Sequence, residues 1–351
     1  MAKKRKVAAV MGNGHIGLVE EGVPTVKPGT VLMEVWNSLV SPGTEVGGWR
    51  GLKQQLEKPS QNPKPRPFGY SNAGVVLEVG DGVTEFKAGD RVAAVGGGYA
   101  MHTDYALVPH NLCVALPANV TFAQGSYAML AATAMHALRR GEPEFGEFVA
   151  VVGLGLVGQL AARLHQLAGG YVIGWDMIPF RSKVAKGWGI DAVAVVGAED
   201  EVAVTNDFTC GCGLDGAVFA FGGDGTKALE SVRKCLKCTA DGHRMGRIVV
   251  VGGTNFDYKF GLTNADLREA SRTGPGYHDE GWEVGPAYPP TVMRWTTRTN
   301  LELCMRLMSE GKLNMDCLTT HTIPLADVDA RIAEILKDPD AILGVVFEMK
   351  R

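Results

Sequence analysis

The segment VVGLGLVG, residues 151–158, constrains this chain more than any other feature. Gly153, Gly155 and Gly158 complete a GxGxxG pattern directly after the apolar run Phe148–Val152 and directly before an amphipathic stretch at 157–167. Strand, glycine turn and helix in that order leave free N–H groups at a helix N-terminus, where a dinucleotide pyrophosphate binds. Gly153 permits the turn, Gly155 lets the backbone approach the phosphates, and Gly158 allows the helix to pack closely on the strand. Among 46 glycines the spacing alone would mean little, and the flanking elements make it specific. The next apolar run, 171–175, ends in Asp176, 18 residues past Gly158. A carboxylate there accepts hydrogen bonds from the adenosine ribose hydroxyls and repels a 2′-phosphate, so NAD rather than NADP is the expected cofactor. Arg181 could pair with a 2′-phosphate, but beside Asp176 it is expected to flank the adenine.

A length of 351 residues predicts about two domains. With 46% hydrophobic and 21% charged residues the chain is globular rather than disordered. Its 35 basic and 38 acidic residues create no field that argues for nucleic acid or an anionic membrane. No apolar run is long enough to span a bilayer and no secretion signal precedes the first strand, so a cytoplasmic protein is expected. The basic run Lys3, Lys4, Arg5 and Lys6 reads as a solvated lead into the apolar stretch 7–11. Seven scattered cysteines without a secretion signal read as reduced thiols. Cys235 and Cys238, at helical spacing, and Cys210 and Cys212, in a glycine-rich loop, are not expected to bind metal.

The first 125 residues are rich in Gly and Pro and carry short β-type runs at 31–36, 73–79, 90–95 and 105–108. The proline-punctuated segment NPKPRP at 62–67 suits an extended loop. A small-residue helix is predicted at 127–140. Strands at 148–152, 171–175, 217–221 and 247–251 then alternate with helices at 157–167, around 181–188 and through residue 236. That alternation predicts a parallel sheet covered by helices. The tail adds a helix at 300–310 and a strand at 344–349.

These features, with GVTEFKAGDRVAA at 82–94, DYALVPHNLCVALP at 104–117, TAMHAL at 133–138, GRIVVVGG at 246–253 and EGKLNMDCLTTHTIPL at 310–325, resemble the medium-chain dehydrogenase/reductase superfamily over essentially the whole chain. The resemblance implies an α/β protein: a GroES-like β-rich catalytic domain at 1–130 and 296–351, and a Rossmann domain with a doubly wound parallel sheet at 131–295. Expected cofactor contacts are Gly153, Leu154, Gly155, Leu156, Val157, Gly158, Asp176 and Arg181, with Thr133, Phe221, Gly222, Gly252 and Gly253. The departures are as informative. Zinc alcohol dehydrogenases of the superfamily hold their metal with a Cys in a CGTD-like turn, a His in a GHE motif and a later Cys or Glu. Here the turn reads SPGTE with Pro42 at the cysteine, the second motif reads GYSNAG with Tyr70 and Ser71 at the His and Glu, and Met129 or a small neighbour stands third. None is a good zinc ligand, and the cysteines of the structural zinc lobe are missing, so no metal is expected. SPGTE, FGYSNAG and the late segment 272–296 look like the zinc-independent subgroup of sugar or cyclitol oxidoreductases. A related SPGTE turn occurs in bacteriochlorophyllide dehydrogenases.

A polyhydroxylated substrate suits a polar pocket of Ser41, Thr44, Glu45, Tyr70, Asn72 and His102, with Tyr277, His278, Asp279, Arg294 and Trp295 from the late segment. Without zinc, a side chain must exchange the hydroxyl proton. Tyr70 is the first candidate and His102 the second. Thr44 matches the hydroxyl that relays the proton in the zinc enzymes, and Glu45 the adjacent acid. An equal reading makes Tyr70 a wall of the pocket that binds substrate without exchanging a proton. Trp282, Tyr288 and Trp295 suit stacking on a sugar ring or packing at a subunit interface. The expected activity is NAD-dependent interconversion of a secondary hydroxyl and a ketone on a carbohydrate or cyclitol. Alternatives are an NADPH-dependent enone or quinone reductase and a dinucleotide-binding sensor without turnover. A dimer or tetramer paired through Rossmann edge strands, such as 247–251 and its successors, is implied by the resemblance.

Overall fold

The computed structural model describes residues 3–12, 14–58, 64–257 and 264–349. They form two compact units, Met1–Ala132 with Thr273–Arg351, and Thr133–Arg272.

In the contiguous unit six parallel strands stand in the order Ala192–Val195, Tyr171–Asp176, Phe148–Val152, Gly216–Phe219, Met245–Val251, Asn264–Ala270. By position along the chain this is 3-2-1-4-5-6, the doubly wound order, which opens a crevice at the carboxyl end of the first strand. The inner strands are nearly continuous apolar runs because helices cover them. Ile173, Trp175, Phe219 and Ile248 are buried in one core with Leu229 and Val232 of the helix Thr226–Cys235. The one polar atom of the Trp175 side chain is satisfied, Nε1 donating to Thr205 Oγ1 at 3.2 Å. Three details differ from the sequence expectation. Met245–Val251 is an inner strand, and the edge is Asn264–Ala270. The helix expected through residue 236 ends at Cys235. Cys235 is buried while Cys238 is exposed beyond that helix, so the two thiols do not share a helical face.

The β-rich unit is built on a seven-stranded sheet whose spine is Thr30–Val40, a β-branched and apolar run paired with Gly344–Glu348, Ser71–Val79 and Tyr105–Pro109. Gly74 is required in its partner: a Cβ there would lie 2.0 Å from the Glu34 carbonyl oxygen. A smaller antiparallel sheet joins Ile16–Gly22, Lys4–Val10 and Arg66–Pro67. Its basic lead-in is ion-paired, exposed Lys4 with Glu20 at 3.0 Å and half-buried Arg5 with Glu21 at 2.9 Å. Of the proline-rich segment 62–67, residues 62 and 63 lie outside the described residues, and Arg66–Pro67 is extended.

The late segment 273–295, assigned above to the Rossmann domain, groups instead with the β-rich unit. Polar contacts far apart in sequence hold it there. Asn111 Nδ2 donates to the carbonyls of Trp282 at 2.6 Å and Gly285 at 3.0 Å. The His110 ring lies 2.6 Å from Glu85 Oε1 through Nδ1 and 3.2 Å from the Gly285 carbonyl through Nε2. Just past the segment, Arg298 Nη1 donates to the same Glu85 oxygen at 2.7 Å and to Asn111 Oδ1 at 3.0 Å. Among the described residues no helix is long and apolar enough to cross a membrane.

Candidate active site

The glycine loop of the contiguous unit has the expected form. Gly153 adopts φ +91°, and a Cβ on it would meet the Ala220 carbonyl oxygen at 3.0 Å and Phe221 Cβ at 3.1 Å. A Cβ on Gly158 would lie 1.8 Å from the Gly153 carbonyl oxygen. Gly155 is different: nothing lies within 4 Å of its would-be Cβ, and it precedes the helix Leu156–Leu167, which has no side-chain cap. Uncapped N–H groups beside open space are what a pyrophosphate needs, so the loop fits a dinucleotide. Leu154 and Leu156 are buried and Val157 half-buried, so the two leucines contribute backbone rather than side chains.

Asp176, 7% exposed, is already engaged. Its Oδ2 accepts from Leu154 N–H at 2.7 Å and its Oδ1 from Ile178 N–H at 2.8 Å. It therefore braces the loop, and each oxygen keeps a second lone-pair site for a ribose hydroxyl. Arg181 Nη1 lies 3.6 Å from Asp176 Oδ2, so the acid and base weighed against each other above are neighbours. One residue escaped sequence reasoning. Gln159 is fully buried, and its Nε2 donates to the Leu154 carbonyl at 3.1 Å and the Arg181 carbonyl at 2.9 Å, tying the loop to the helix Pro179–Gly187. Its place directly after Gly158 was the only signal. The expected contacts Phe221, Gly222, Gly252 and Gly253 also converge: Thr254 Oγ1 donates to the Phe221 carbonyl, and Gly223 N–H to the Gly253 carbonyl at 3.0 Å. Gly252 has φ +94° and is exposed, and Thr133 is half-buried on the helix Ala128–Gly141.

In the β-rich unit, Pro42 opens the short helix Pro42–Glu45, which presents Ser41 and Thr44 to the Tyr70 hydroxyl. Both side chains act on that phenol in favour of its ionised form. Burial pushes the Tyr70 proton affinity well above the usual phenol range, the charge of Glu45 adds to this, and the bonds to Ser41 and Thr44 only partly offset it. Tyr277 also faces Tyr70, and its hydroxyl accepts from Gly97 N–H at 3.0 Å. Tyr70 is therefore a poor base as it stands.

Several expected pocket residues are interior groups. His102 has no accessible surface: Nδ1 is 2.8 Å from Ser38 Oγ, Nε2 is 3.3 Å from Glu45 Oε2, and Phe68 and Phe347 meet the ring edge-on at 4.7 and 5.0 Å. It cannot touch a substrate, which corrects its assignment as a base. Asn72 is equally buried, Nδ2 donating to the Met101 carbonyl at 3.0 Å, and does not line a pocket. Glu45, 5% exposed, accepts from Ser41 N–H at 2.6 Å through Oε2, while Oε1 has no partner. In the late segment His278 takes φ +69° and its N–H donates to the buried Glu283 at 2.9 Å. Asp279 caps the helix Glu280–Val284 and accepts from the Tyr288 hydroxyl, while Tyr288 stacks on the buried Trp282 at 5.8 Å. Those two rings brace the segment rather than stand free for a sugar. Arg294 is exposed, its guanidinium 4.4 Å over the Trp295 ring. Among the described residues no three His, Cys, Asp or Glu side chains converge as a metal site.

Residues 43–130 match the alcohol dehydrogenase GroES-like domain. Mouse sorbitol dehydrogenase is 26% identical over 346 residues, covering 90% of this chain and 88% of that protein. L-threonine 3-dehydrogenase of Thermococcus kodakarensis is 26% identical over 332 residues, covering 87% and 86%. Among solved structures, the alcohol dehydrogenase TADH from Thermus sp. ATN1 superposes with a TM-score of 0.77 at 19% identity, covering 98% of this chain and all of that one. A zinc-binding dehydrogenase of Sinorhizobium meliloti bound to NADP gives 0.73 at 18% identity, covering 99% and 100%. A dehydrogenase of Escherichia coli CFT073 complexed with NADH gives 0.71 at 18%, also covering 99% and 100%. The fold is that of a GroES-like domain joined to a Rossmann-like parallel sheet. The sequence matches support the medium-chain dehydrogenase/reductase superfamily.

Proposed function

We propose that the protein is a zinc-independent, NAD-dependent oxidoreductase that interconverts a secondary hydroxyl and a ketone on a carbohydrate or cyclitol. The observation that carries this is the cluster of Tyr70, Ser41 and Thr44, in the two motifs to which the resemblance assigns the metal ligands of the zinc enzymes. The mouse and archaeal relatives, named for a polyol and a hydroxy amino acid, support alcohol chemistry. When bound, the nicotinamide supplies or accepts the hydride. The glycine loop and the N-terminus of Leu156–Leu167 hold the pyrophosphate, and Asp176 takes the ribose hydroxyls. Tyr70 hydrogen-bonds the reacting oxygen, and the substrate's hydroxyl proton passes through Thr44 to solvent water. Tyr277 and His278 orient the remaining hydroxyls.

A second proposal, NADPH-dependent reduction of an enone or quinone, draws on Arg181, whose guanidinium beside Asp176 could turn to a 2′-phosphate. The test is nicotinamide absorbance after mixing chelator-treated protein with NAD⁺ or NADP⁺ and a panel of aldoses, inositols and linear alcohols, and with NADPH and enones. NADH formation with a cyclic polyol, lost in Tyr70→Phe, supports the first. Activity that returns only with added Zn²⁺, or appears only with NADPH and enones, refutes it. We also propose a homo-oligomer paired through the edge strand Asn264–Ala270, and a monomer in light scattering would refute that.

A further inference from the structure

The cysteine pair in the glycine-rich loop 209–213 has no part in the dehydrogenase site. The loop leads from the helix Glu201–Phe208 to the strand Gly216–Phe219, so it lies at the amino ends of the parallel strands, while the glycine loop follows the carboxyl end of Phe148–Val152. Its backbone is bonded at every step. Cys210 N–H donates to the Asp207 carbonyl at 3.1 Å, Gly211 N–H to the Asn206 carbonyl at 2.9 Å, and Cys212 N–H to the Thr209 carbonyl at 2.9 Å. Gly213 N–H donates to the buried Thr209 Oγ1 at 3.2 Å, and Leu214 N–H to the Cys235 carbonyl at 2.8 Å. Cys210 and Gly211, the two central residues of the turn that Cys212 closes, have φ +50° and +77°. Two positive values in that place define a type I′ turn, whose first central residue is usually glycine, asparagine or aspartate. A cysteine there enters the left-handed region against its preference, and such backbone outliers gather at functional sites. Both thiols are free and exposed, whereas Cys235 beside the loop is buried.

We propose that Cys210 and Cys212 form a reversible thiol–disulfide site that reacts with a low-molecular-weight disulfide of the glutathione type. Two consecutive Cα steps folded through a left-handed turn end about 5–6 Å apart, within the span that a disulfide bridges. Gly211 between them has no side chain to obstruct the small ring. The exchange runs in two steps. One cysteine, as its thiolate, attacks a sulfur of the small disulfide; that S–S bond breaks, a mixed disulfide forms, and one small thiol leaves with the proton the cysteine gave up. The other cysteine then attacks the protein sulfur of the mixed disulfide, the Cys210–Cys212 bond forms, and the second small thiol leaves with the second proton. Two thiols of the turn are oxidised and one small disulfide is reduced to two thiols. The bonded backbone holds the two cysteines in this relation before either reacts, so closing the ring removes little further freedom. The site is independent of the dinucleotide loop and of the alcohol chemistry proposed above.

The test needs neither substrate nor turnover. Cys238→Ser with Cys317→Ser gives a full-length background whose exposed cysteines are Cys210 and Cys212. This protein is equilibrated at about pH 8 with mixtures of oxidised and reduced glutathione, quenched with acid and weighed by mass spectrometry. It is expected to lose two hydrogens, retain no glutathione and release two molecules of reduced glutathione for each oxidised one consumed. Cys210→Ser and Cys212→Ser in the same background should each stop at one bound glutathione. The equilibrium constant for ring closure should be about tenfold larger in the folded protein than in urea, because the folded turn already holds the two cysteines together. In the parent protein the two hydrogens should be lost from the single tryptic peptide that carries both residues. A background protein that ends with two bound glutathiones overturns the proposal. So does an equilibrium constant no larger folded than unfolded, or a parent disulfide that joins Cys210 or Cys212 to Cys238.

Discussion

Gly155→Ala separates binding from folding at the glycine loop. Gly155 has φ −66° and ψ −174°, which alanine adopts without strain, and nothing lies within 4 Å of the added methyl. Such a substitution lowers the entropy of the unfolded chain and stabilises by about 0.4–1 kcal/mol. For a unit of this size that raises the apo midpoint by roughly 1–4 °C. The same methyl stands where the pyrophosphate must approach the helix N-terminus. Losing one charge-assisted hydrogen bond there, worth about 1.5–3 kcal/mol, weakens dinucleotide binding about 10- to 100-fold. Thermal unfolding of the apoprotein and an NADH fluorescence titration measure the two effects. NADH bound as tightly by Gly155→Ala as by the parent would refute the placement of the pyrophosphate. Gly158→Ala is the counterpart. Its Cβ would lie 1.8 Å from a backbone oxygen, so apo stability should fall by about 1–3 kcal/mol and binding with it.

Asp176→Ser should shift the NADPH to NADH affinity ratio upward by about tenfold, read by competitive titration, because it removes the charge that repels a 2′-phosphate and frees Arg181. An unchanged ratio would place the adenosine ribose elsewhere. Gln159→Leu should lower the apo melting point by an amount equivalent to about 1–3 kcal/mol, since the Leu154 and Arg181 carbonyls each lose a donor. No change would mean that those oxygens find other partners. Burial alone would raise the Glu85 carboxyl, but hydrogen bonds from His110 and Arg298 outweigh it and hold it down at about 2. A carboxyl depressed by folding stabilises above its unfolded value, near 4.3, and that contribution fades as pH falls from there toward 2. Glu85→Gln should therefore be less stable than the parent at pH 6 and lose less stability between pH 5 and pH 3. Parallel denaturation curves for the two proteins across that range would sink the idea.

The dinucleotide half of the site was readable because its signals are local. Phe148–Val152, the glycine turn and the following helix are contiguous, and the glycines meet backbone that the same turn brings near. The β-rich half was less readable because its contacts join distant residues. Nothing in SPGTE or AMHTD announces that Glu45 and His102 meet in the interior of the β-rich unit, 57 residues apart in sequence. The late segment was misassigned for the same reason: its carbonyls are held by Asn111, more than 170 residues upstream. Asn264–Ala270 was not seen as a strand because Ala, Asp, Leu, Arg and Glu carry no strand preference. Parallel pairing with Met245–Val251 overrides that local bias.

The spine of the seven-stranded sheet has a consequence for synthesis. Val40 pairs with Val345, and Gly344–Glu348 lies inside the sheet, between Thr30–Val40 and Thr319–Pro324. Every strand of Thr133–Arg272 has been translated before that pairing is possible. At about 5–20 residues per second, the ribosome needs roughly 15–60 s to make the intervening chain. The unit Thr133–Arg272 can close as it emerges, while Asn37–Val40 waits without a partner on the edge whose Thr30–Glu34 part is already paired with Tyr105–Pro109. The β-rich half is thus the last part of this protein to complete its sheet.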